Sequence, residues 1–362
     1  MKKMIKIILL NFLLFSLSQA HSEAKYKLEL LYNGKEVLWG FDFFSEDEIL
    51  LTKRNGDLKS FVISTKQIKL VSKIPNVHAS GQGGLLDLLI DGDKIFFTFS
   101  KKIGSDIRPV LATSTYRAGV LGPIEELFVA QTKGSDATHY GSRMLFKQEG
   151  EQKLLFLTIG DRGERALAQS LDQHHGKVLR LTLQGKPAPG NPFIGQEKAL
   201  PEIYSFGHRN PQGITLDPVT GEIYSGEFGP RGGDEINIIR PGLNYGWPEV
   251  TKGREYWGPK IGVEGGVQGM EDPLFNFTPS LSFSGINFYN GDLLPAWKGN
   301  LFLACLKTTH LHRLVIENKK IIKSEKLFEE LGERIRFVRG GPDGRLYFST
   351  DSGKLYRVSP SA

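Results

Sequence analysis

The sequence predicts an all-β fold, a six-bladed β-propeller made of four-stranded antiparallel blades. Two observations support this prediction. Long amphipathic helices are missing, because the apolar residues come in short runs closed by Gly, Asp or Asn. A strand–turn–strand phrase also recurs six times along the chain. One such unit cannot bury both of its faces alone, so six units are expected to stack radially into one closed array. A β-sandwich is the alternative, but it does not explain the recurring phrase.

The six copies follow one another along the chain, each opening with a pair of predicted strands. These pairs cover residues 40–43 and 48–52, 85–90 and 94–98, 143–146 and 153–158, 213–217 and 221–225, 285–288 and 299–304, and 336–338 and 344–349. A third strand follows in every copy except the second. Sharing the mature chain among six units gives about 57 residues each, which suits a four-stranded blade with its loops. The strand at residues 26–31 is left over, and we expect it to complete the last blade and close the ring.

The N-terminus has the pattern of a secretory signal peptide. Three lysines precede the apolar run at residues 7–17, and small residues suit cleavage after residue 20, or as late as residue 24. An apolar run of about a dozen residues is too short to span a bilayer. Residues 25–362 are therefore predicted to form a single propeller domain, periplasmic or secreted, with no stable membrane insertion.

Charge and cysteine content exclude some classes of protein. Removing residues 1–20 takes away three lysines and no acid, which lowers the formal net charge from +6 to +3. A nearly balanced surface without a run of five basic residues argues against nucleic-acid binding. Cys305 is the only cysteine, so an internal disulfide is impossible. Because it follows the apolar residues 301–304, we expect it to be a buried apolar residue rather than a nucleophile.

Unusual polar residues fall at equivalent places in the copies. Adjacent strands of a blade run antiparallel, so the start of the first strand and the end of the second lie at the same rim. The residues that obey this rule by preceding a first strand are Gln82, His139, Arg209, Asn210, Arg334 and Arg336. Those that follow a second strand are Asp161, Gly229, Pro230 and Lys307. We therefore expect all of them on one face of the disc, around its axis.

The chemistry of this predicted ring is specific in kind. Its cations suit a small ligand with several negative charges, because guanidinium groups bind carboxylates bidentately. The Gly229–Pro230 turn offers carbonyl oxygens to a hard cation such as calcium. His139 is a candidate general base that Asp161 could orient. The competing interpretations are that His139 is structural and that Arg336 pairs with an acid on a strand.

Eight stretches at these positions carry a resemblance to a known family. They are GQGGLLDL (81–88), THYGSR (138–143), TIGDRG (158–163), HHGKVLRL (174–181), GHRNPQG (207–213), EFGPRGGDEIN (227–237), NYGWP (244–248) and RIRFVRGGPDGRLY (334–347). Together they resemble the soluble quinoprotein glucose/sorbosone dehydrogenases, in particular the periplasmic aldose sugar dehydrogenases. The resemblance implies a six-bladed propeller that binds pyrroloquinoline quinone (PQQ), a tricarboxylic ortho-quinone, together with calcium. It implies an oxidoreductase that converts the C1 hydroxyl of aldose sugars to lactones and passes electrons to an unidentified acceptor.

The resemblance also implies roles for single residues. His139 matches the base that removes the C1 hydroxyl proton while hydride passes to the quinone, and Asp161 matches the acid behind it. Arg209 matches the arginine that polarises the accepting carbonyl. The residues that match PQQ contacts, Arg209 among them, are Gln82, Asn210, Lys307, Arg334 and Arg336. Those that match calcium ligands are Gly229 and Pro230 at the cofactor, and Glu235 and Tyr245 at a further, structural calcium.

Two other functions compete with this prediction. A calcium-dependent lactone hydrolase on a similar propeller would need a cluster of carboxylates on the axis rather than a ring of cations. A non-catalytic or degenerate sugar-binding propeller would not need His139, Asp161 and Arg209 together. The chain also departs from the broad-specificity glucose enzymes, since its insertions after Asp161 and before Gly176 are short and residues 257–283 have no clear counterpart there.

Overall fold

The computed structural model describes residues 26–134 and 137–361, and it is an all-β ring of six sheets. The predicted signal peptide, residues 1–20 with cleavage as late as residue 24, lies outside this part of the chain. Within it, helix is confined to three short 3₁₀ segments, Arg165–Gln169, Pro295–Trp297 and Glu329–Leu331. No helix in residues 26–134 or 137–361 is long and apolar enough to cross a bilayer.

Each blade is an antiparallel sheet whose four main strands follow one another in the chain, except in the last blade. The first three blades comprise β2 (Leu38–Phe43), β3 (Glu48–Lys53), β4 (Asp57–Val62) and β5 (Gln67–Lys73); β6 (Leu85–Asp91), β7 (Lys94–Ile103), β8 (Asp106–Arg117) and β10 (Glu125–Val129), with the short β9 (Val120–Leu121) paired to β8; and β11 (Met144–Glu149), β12 (Gln152–Ile159), β13 (Lys177–Thr182) and β14 (Ile203–Phe206). The last three comprise β15 (Pro211–Leu216), β16 (Ile223–Glu227), β17 (Asp234–Ile239) and β18 (Phe275–Phe277); β19 (Phe283–Phe288), β20 (Leu301–Cys305), β21 (Leu311–Glu317) and β22 (Lys320–Leu327); and β23 (Ile335–Gly340), β24 (Leu346–Thr350), β25 (Lys354–Pro360) and β1 (Tyr26–Asn33).

The first strands of the six blades surround the axis. β2 contacts β6, β6 contacts β11, and so on through β15, β19 and β23 back to β2. The six-bladed propeller predicted from the recurring phrase is therefore confirmed.

The ring closes through its first strand. β1 lies beside β25 in antiparallel register, from Tyr26 opposite Pro360 to Asn33 opposite Lys354. The last blade thus takes three strands from the end of the chain and one from its beginning, as the leftover strand at residues 26–31 predicted. Unfolding must break this sheet or an interface between blades, because no free edge separates the first blade from the last.

The core is divided among the interfaces between neighbouring blades. Six clusters of buried apolar side chains each join two adjacent blades. In the cluster between the last blade and the first, Phe41 and Phe61 meet Tyr347 and Leu355. Cys305 lies in the cluster between the fourth and fifth blades and is fully buried, as expected. Burial raises the pKa of its thiol, which makes it a poor nucleophile.

The closing strand supplies a direct test of this core. Leu31 on β1 is 5% exposed and packs in the cluster with Phe41, whereas the preceding Leu30 is 41% exposed. We expect Leu31→Ala to lower the free energy of unfolding by about 2–4 kcal/mol, because truncation leaves a cavity in a packed interface. Leu30→Ala should change it by less than about 0.5 kcal/mol. Urea denaturation followed by fluorescence measures both, and equal effects would mean that β1 does not dock through Leu31.

Candidate active site

A cavity of about 400 Å³ lies on the axis, at the rim where first strands begin and second strands end. Five blades contribute to its wall, including Gln82 before β6, Phe228 after β16 and Leu306 after β20. Arg334 and Arg336 line it from the last blade. The remaining blade adjoins this wall through His139, whose backbone N–H donates to Gln82 Oε1 at 2.9 Å. The structure thus brings these predicted site residues together on one face of the disc.

His139 and Asp161 form a tightly held pair beside the cavity. His139 Nδ1 lies 2.6 Å from Asp161 Oδ1, and Asp161 Oδ2 accepts a hydrogen bond from Trp247 Nε1 at 2.8 Å. The backbone N–H of Gly163 donates to Oδ1 at 2.9 Å. Because an ionised carboxylate only accepts hydrogen bonds, the imidazole carries its proton on Nδ1. The lone pair of His139 Nε2 is then available to take a proton.

The charges of this pair suit a general base. Burial lowers the pKa of His139 and the positive charge of Arg209 lowers it further, while the hydrogen bond to Asp161 opposes both. Burial raises the pKa of Asp161, but the hydrogen bond and charge of His139 outweigh it, so that this pKa is lowered. At neutral pH the pair is therefore a neutral imidazole on a carboxylate, which is the state that accepts a proton.

The backbone around His139 is held in an unusual conformation. His139 has a φ of 47°, in the left-handed region that few non-glycine residues occupy. Gly160 packs directly against it, since a Cβ at position 160 would lie 2.1 Å from the His139 carbonyl oxygen. The glycine of the TIGDRG motif is thus needed for the close approach of the loops that carry His139 and Asp161. Strained backbone of this kind is concentrated at functional sites.

Arg209 and Asn210 are positioned by a buried acid that the sequence analysis did not single out. Glu227 Oε2 accepts the backbone N–H groups of Arg209 at 2.7 Å and Asn210 at 3.3 Å. Arg209 Nη1 donates to the carbonyl of Phe228 at 2.7 Å, which places the guanidinium against the cavity wall. Asn210 Oδ1 accepts from Gly141 N–H, while its buried Nδ2 has no partner among residues 26–134 and 137–361. Asn210 itself is fully buried and is not part of the cavity wall.

Arg334 and Arg336 share one carboxylate, Asp351, which also lines the cavity. Arg336 binds Asp351 bidentately at 2.7 and 2.9 Å, and Arg334 Nε donates to it at 2.9 Å. Burial raises the pKa of Asp351, but the charge of Arg336 and the hydrogen bonds of both arginines outweigh it, so that this pKa is lowered. Arg336 therefore does pair with an acid, as the competing interpretation held. It does so in the cavity wall, where two cations on one acid leave a net positive charge.

Lys307 is less closely tied to the cavity. It follows Leu306, a residue of the wall, and its backbone N–H donates to Leu281 O at 3.4 Å. Its side chain is exposed. Of the predicted cations, Arg209, Arg334 and Arg336 therefore contact the cavity wall through their guanidinium groups, and Lys307 lies at its edge.

The turn predicted to hold calcium is rigidly supported. Gly229 N–H donates to Asp234 Oδ1 at 3.1 Å, and the carbonyl of Pro230 accepts from Arg254 N–H at 2.9 Å. A carbonyl oxygen has two lone pairs, so the one on Pro230 retains capacity for a cation. No group of three or more His, Cys, Asp or Glu side chains in the described ranges is arranged to hold a metal. A cation at this turn would need backbone oxygens and oxygens from a ligand.

Glu235 and Tyr245 are both buried, but their side chains hydrogen-bond to different groups. The amide of Asn237 donates to Glu235 Oε2 at 3.2 Å and to Glu227 Oε1 at 3.3 Å. Burial, and then the charge of Glu227, raises the pKa of Glu235 well above its ordinary value. The Tyr245 hydroxyl donates to Ile238 O at 2.6 Å and accepts from Arg240 N–H, so this phenol has its partners within the protein. Only the carbonyl of Tyr245 is then suited to join Glu235 as a ligand.

Besides Glu227, three residues of the site were missed in the sequence, and two of them, Arg54 and Asp351 in the cavity wall, obey the rule that found the others. Arg54 follows β3 and Asp351 follows β24, which are the second strands of the first and last copies. Applying the rule to all six copies would have found both. Trp247, which donates to Asp161, lies far from it in the chain, and nothing local to NYGWP signals that contact.

The chain matches known proteins over nearly its whole length. A sequence model of the Glucose / Sorbosone dehydrogenase family matches residues 35–357. The aldose sugar dehydrogenase YliI of Escherichia coli is 37% identical over 351 residues, which cover 93% of this chain and 94% of that protein.

Solved structures agree with this match. The apo form of the soluble aldose sugar dehydrogenase of Escherichia coli has a TM-score of 0.87 and 34% identity, covering 93% of this chain and all of that one. The PQQ-bound aldose sugar dehydrogenase of Streptomyces coelicolor has a TM-score of 0.76 and 26% identity, covering 94% of this chain and 99% of that one. Together with the geometry of the axial cavity, these matches show that the chain belongs to the glucose/sorbosone dehydrogenase family.

Proposed function

We propose that this protein is a PQQ- and calcium-dependent aldose sugar dehydrogenase that oxidises the C1 hydroxyl of sugars to lactones. The observation that carries the proposal is the neutral His139, fixed on Asp161 at the edge of a cavity with cationic walls. The family and its sugar-oxidising members support the same chemistry. The signal predicted in residues 1–20 supports a periplasmic or secreted location.

The lining of the cavity fits a planar, multiply anionic cofactor. Arg334 and Arg336 leave a net positive charge after pairing with Asp351, and guanidinium groups recognise carboxylates well. Next to Arg209 in the chain, the buried Nδ2 of Asn210 is a donor without a partner in the described residues, and such donors are costly unless something accepts from them. Gln82 and Lys307 would add contacts from neighbouring blades. These residues would hold the carboxylates of PQQ.

When bound, PQQ would supply the hydride acceptor for the sugar C1 carbon. His139 Nε2 would take the C1 hydroxyl proton, and the carboxylate of Asp161 would stabilise the imidazolium that forms. Arg209 would place a fixed positive charge where negative charge develops during the reaction. Trp247 shields the His139–Asp161 pair from water on the far side of Asp161, since that carboxylate is 1% exposed.

We further propose that calcium binds at two places. The carbonyl oxygens of Gly229 and Pro230 are hard donors beside the cavity and would hold a cofactor-linked ion. Glu235 and the carbonyl of Tyr245 would hold a structural ion. The repulsion between the buried carboxylates of Glu235 and Glu227 favours a nearby cation.

The lowered pKa of His139 sets the expected pH dependence. The base must be neutral, so the rate is retained above its pKa and lost as pH falls through it. Because burial and Arg209 move this pKa below the ordinary 6.5, we expect the acidic limb of kcat/KM to have its midpoint below pH 6.5. Steady-state kinetics with a dye acceptor between pH 4.5 and 8 measure it. An acidic midpoint above 6.5 would assign the limb to another group.

Reconstitution tests the proposed function as a whole. Purified protein is loaded with PQQ and calcium, and dye reduction is followed across a panel of aldoses. We expect sugar-dependent dye reduction that requires both PQQ and calcium. The absence of both PQQ binding and activity would favour a non-catalytic sugar-binding propeller. Hydrolysis of sugar lactones without PQQ would favour the calcium-dependent hydrolase, although each axial carboxylate described above is already paired with a cation or an imidazole.

A further inference from the structure

Arg143 occupies the centre of the propeller. It immediately precedes β11 and is 1% exposed, so its guanidinium is buried on the axis. The planes of Trp39 and Phe337 lie on it, with ring centroids 3.8 and 4.2 Å from the guanidinium carbon. Burial lowers the pKa of Arg143 to about 10, which still leaves the group charged at neutral pH.

The hydrogen bonds of Arg143 reach all five of the other blades. Nε donates to the carbonyl of Gln212 at 2.9 Å, and Nη1 donates to the carbonyl of Trp39 at 3.2 Å and to Asp87 Oδ1 at 3.0 Å. Nη2 donates to Ser284 Oγ at 3.4 Å and to the carbonyl of Arg336 at 3.2 Å.

The acceptors lie on β2, β6, β15, β19 and β23, the innermost strands of the five other blades. A guanidinium has five N–H donors, and here it makes one bond to each of these strands. A lysine ammonium has three donors and no planar fork, so it cannot reproduce the arrangement.

Three of these partners are also walls of the axial cavity. Trp39, Gln212 and Arg336 line it, and each is bound to Arg143 through its backbone carbonyl. The side chains beyond those carbonyls are themselves linked, since Arg336 Nη1 donates to Gln212 Oε1 at 3.3 Å. Ser284 Oγ connects the two layers, because it accepts from Arg143 and donates to Gln212 Oε1 at 3.2 Å. Arg143 therefore fixes the backbone at the base of the cavity, including the backbone of Arg336.

We propose that Arg143 is the positioning residue of the cofactor site: it closes the axis and sets the placement of Arg336 and Gln212 toward the bound anion. This inference rests on the proposed PQQ function. Arg143 acts through its neighbours, because its own five donors are all engaged within the protein. Replacing Arg143 should therefore lower the affinity for PQQ as well as the stability of the fold.

Arg313 is a matched control. It is a buried arginine in the fifth blade, 6% exposed, that binds Glu325 at 2.8 Å and the carbonyl of Ala296 at 3.1 Å. Neither partner lines the axial cavity. Arg143→Lys and Arg313→Lys both remove the fork of a buried arginine and keep the charge. Ser284→Ala is a milder change that removes only the hydroxyl connecting Arg143 to Gln212.

The experiment titrates each purified apoprotein with PQQ at fixed calcium, by fluorescence quenching, and measures the thermal midpoint of each apoprotein. We expect both lysine variants to lower the midpoint. Arg143→Lys should also weaken PQQ affinity by about 10- to 100-fold, since two or three of the hydrogen bonds that hold Arg336 and Gln212 in place toward the anion are lost. Ser284→Ala should weaken it by about 3- to 10-fold, for the loss of one such bond. Arg313→Lys should leave it within about twofold of wild type, because surface and core changes far from a site act independently of it.

The outcomes separate the two proposals. If the wild-type protein binds PQQ and both Arg143→Lys and Ser284→Ala bind it with the same affinity, the positioning role is overturned and the proposed function stands. Equal losses of PQQ affinity in Arg143→Lys and Arg313→Lys would mean that Arg143 has only a structural role. If Arg143→Lys does not fold, Ser284→Ala decides, and unchanged affinity there overturns the inference. A wild-type protein that binds no PQQ overturns both proposals.

Discussion

His139→Ala is expected to lower kcat by about 10²- to 10⁴-fold, the usual contribution of a general base. The imidazole is the only group at the cavity edge that pairs a free nitrogen lone pair with a supporting carboxylate, among the residues described here. PQQ affinity should change little, because the carboxylate-binding cations lie on other blades. Single-turnover kinetics of the PQQ-loaded variant measure the step directly.

A second histidine controls for the loss of any buried imidazole. His312 is 6% exposed in the fifth blade and hydrogen-bonds to His310 and Ser324, away from the cavity. His312→Gln should keep kcat within about twofold of wild type, as expected of a substitution remote from the site. An unchanged kcat in His139→Ala, with PQQ bound, would remove His139 from the reaction.

Asp161→Asn is expected to lower kcat by a comparable factor, about 10²- to 10⁴-fold, because a neutral amide cannot stabilise the imidazolium that forms on His139. Trp247 Nε1 and the backbone N–H of Gly163 donate to opposite oxygens of Asp161, so the N–H₂ group of the new asparagine opposes one of these donors in either orientation. With the N–H₂ group toward His139, Nδ1 would accept, and the proton would sit on Nε2, where the sugar proton has to go. The folded structure should be largely retained, since the shapes of the two side chains match.

The pH profile separates this effect from simple misfolding. Asp161→Asn should also shift the acidic limb of kcat/KM downward, because the carboxylate that favours the charged imidazole is gone. Trp247→Phe is the matched variant, since it removes one donor to Asp161 and leaves the tautomer unchanged. We expect a loss of less than about tenfold there, in keeping with one neutral hydrogen bond. A wild-type rate and pH profile in Asp161→Asn would contradict the role given to this acid.

Much of the fold could be predicted because the inner strands repeat a strong apolar pattern. β3 and β24 are buried along almost their whole length, so their sequences show it. The outer strands do not: β5 begins with four exposed residues, and four of the eight residues of β22 are charged. Apart from β1, they were not predicted, because an outer strand packs on one neighbour and its side chains face water. The long β8 was missed as well, and no feature of its sequence explains that omission.

The site was predictable where topology alone places residues, and not where contacts cross the ring. The antiparallel rule alone predicts that Gln82, His139 and Asp161 lie at one rim. Asp351 and Arg54 obey the same rule and were overlooked. Arg143 was part of a recognised motif, but its role depends on acceptors from five other blades, up to 193 residues away. A local pattern cannot report such a contact, because each acceptor is an ordinary backbone or side-chain oxygen of a strand.

The central claim is that the axial cavity binds PQQ next to His139. A crystal structure of the purified protein reconstituted with PQQ and calcium tests it most directly. We expect density for the cofactor in the cavity, within hydrogen-bond distance of Gln82, Asn210 and Arg336, and within reach of His139 Nε2. Density for PQQ on another face of the propeller would contradict the claim. So would an axial cavity without PQQ density in crystals grown with saturating PQQ.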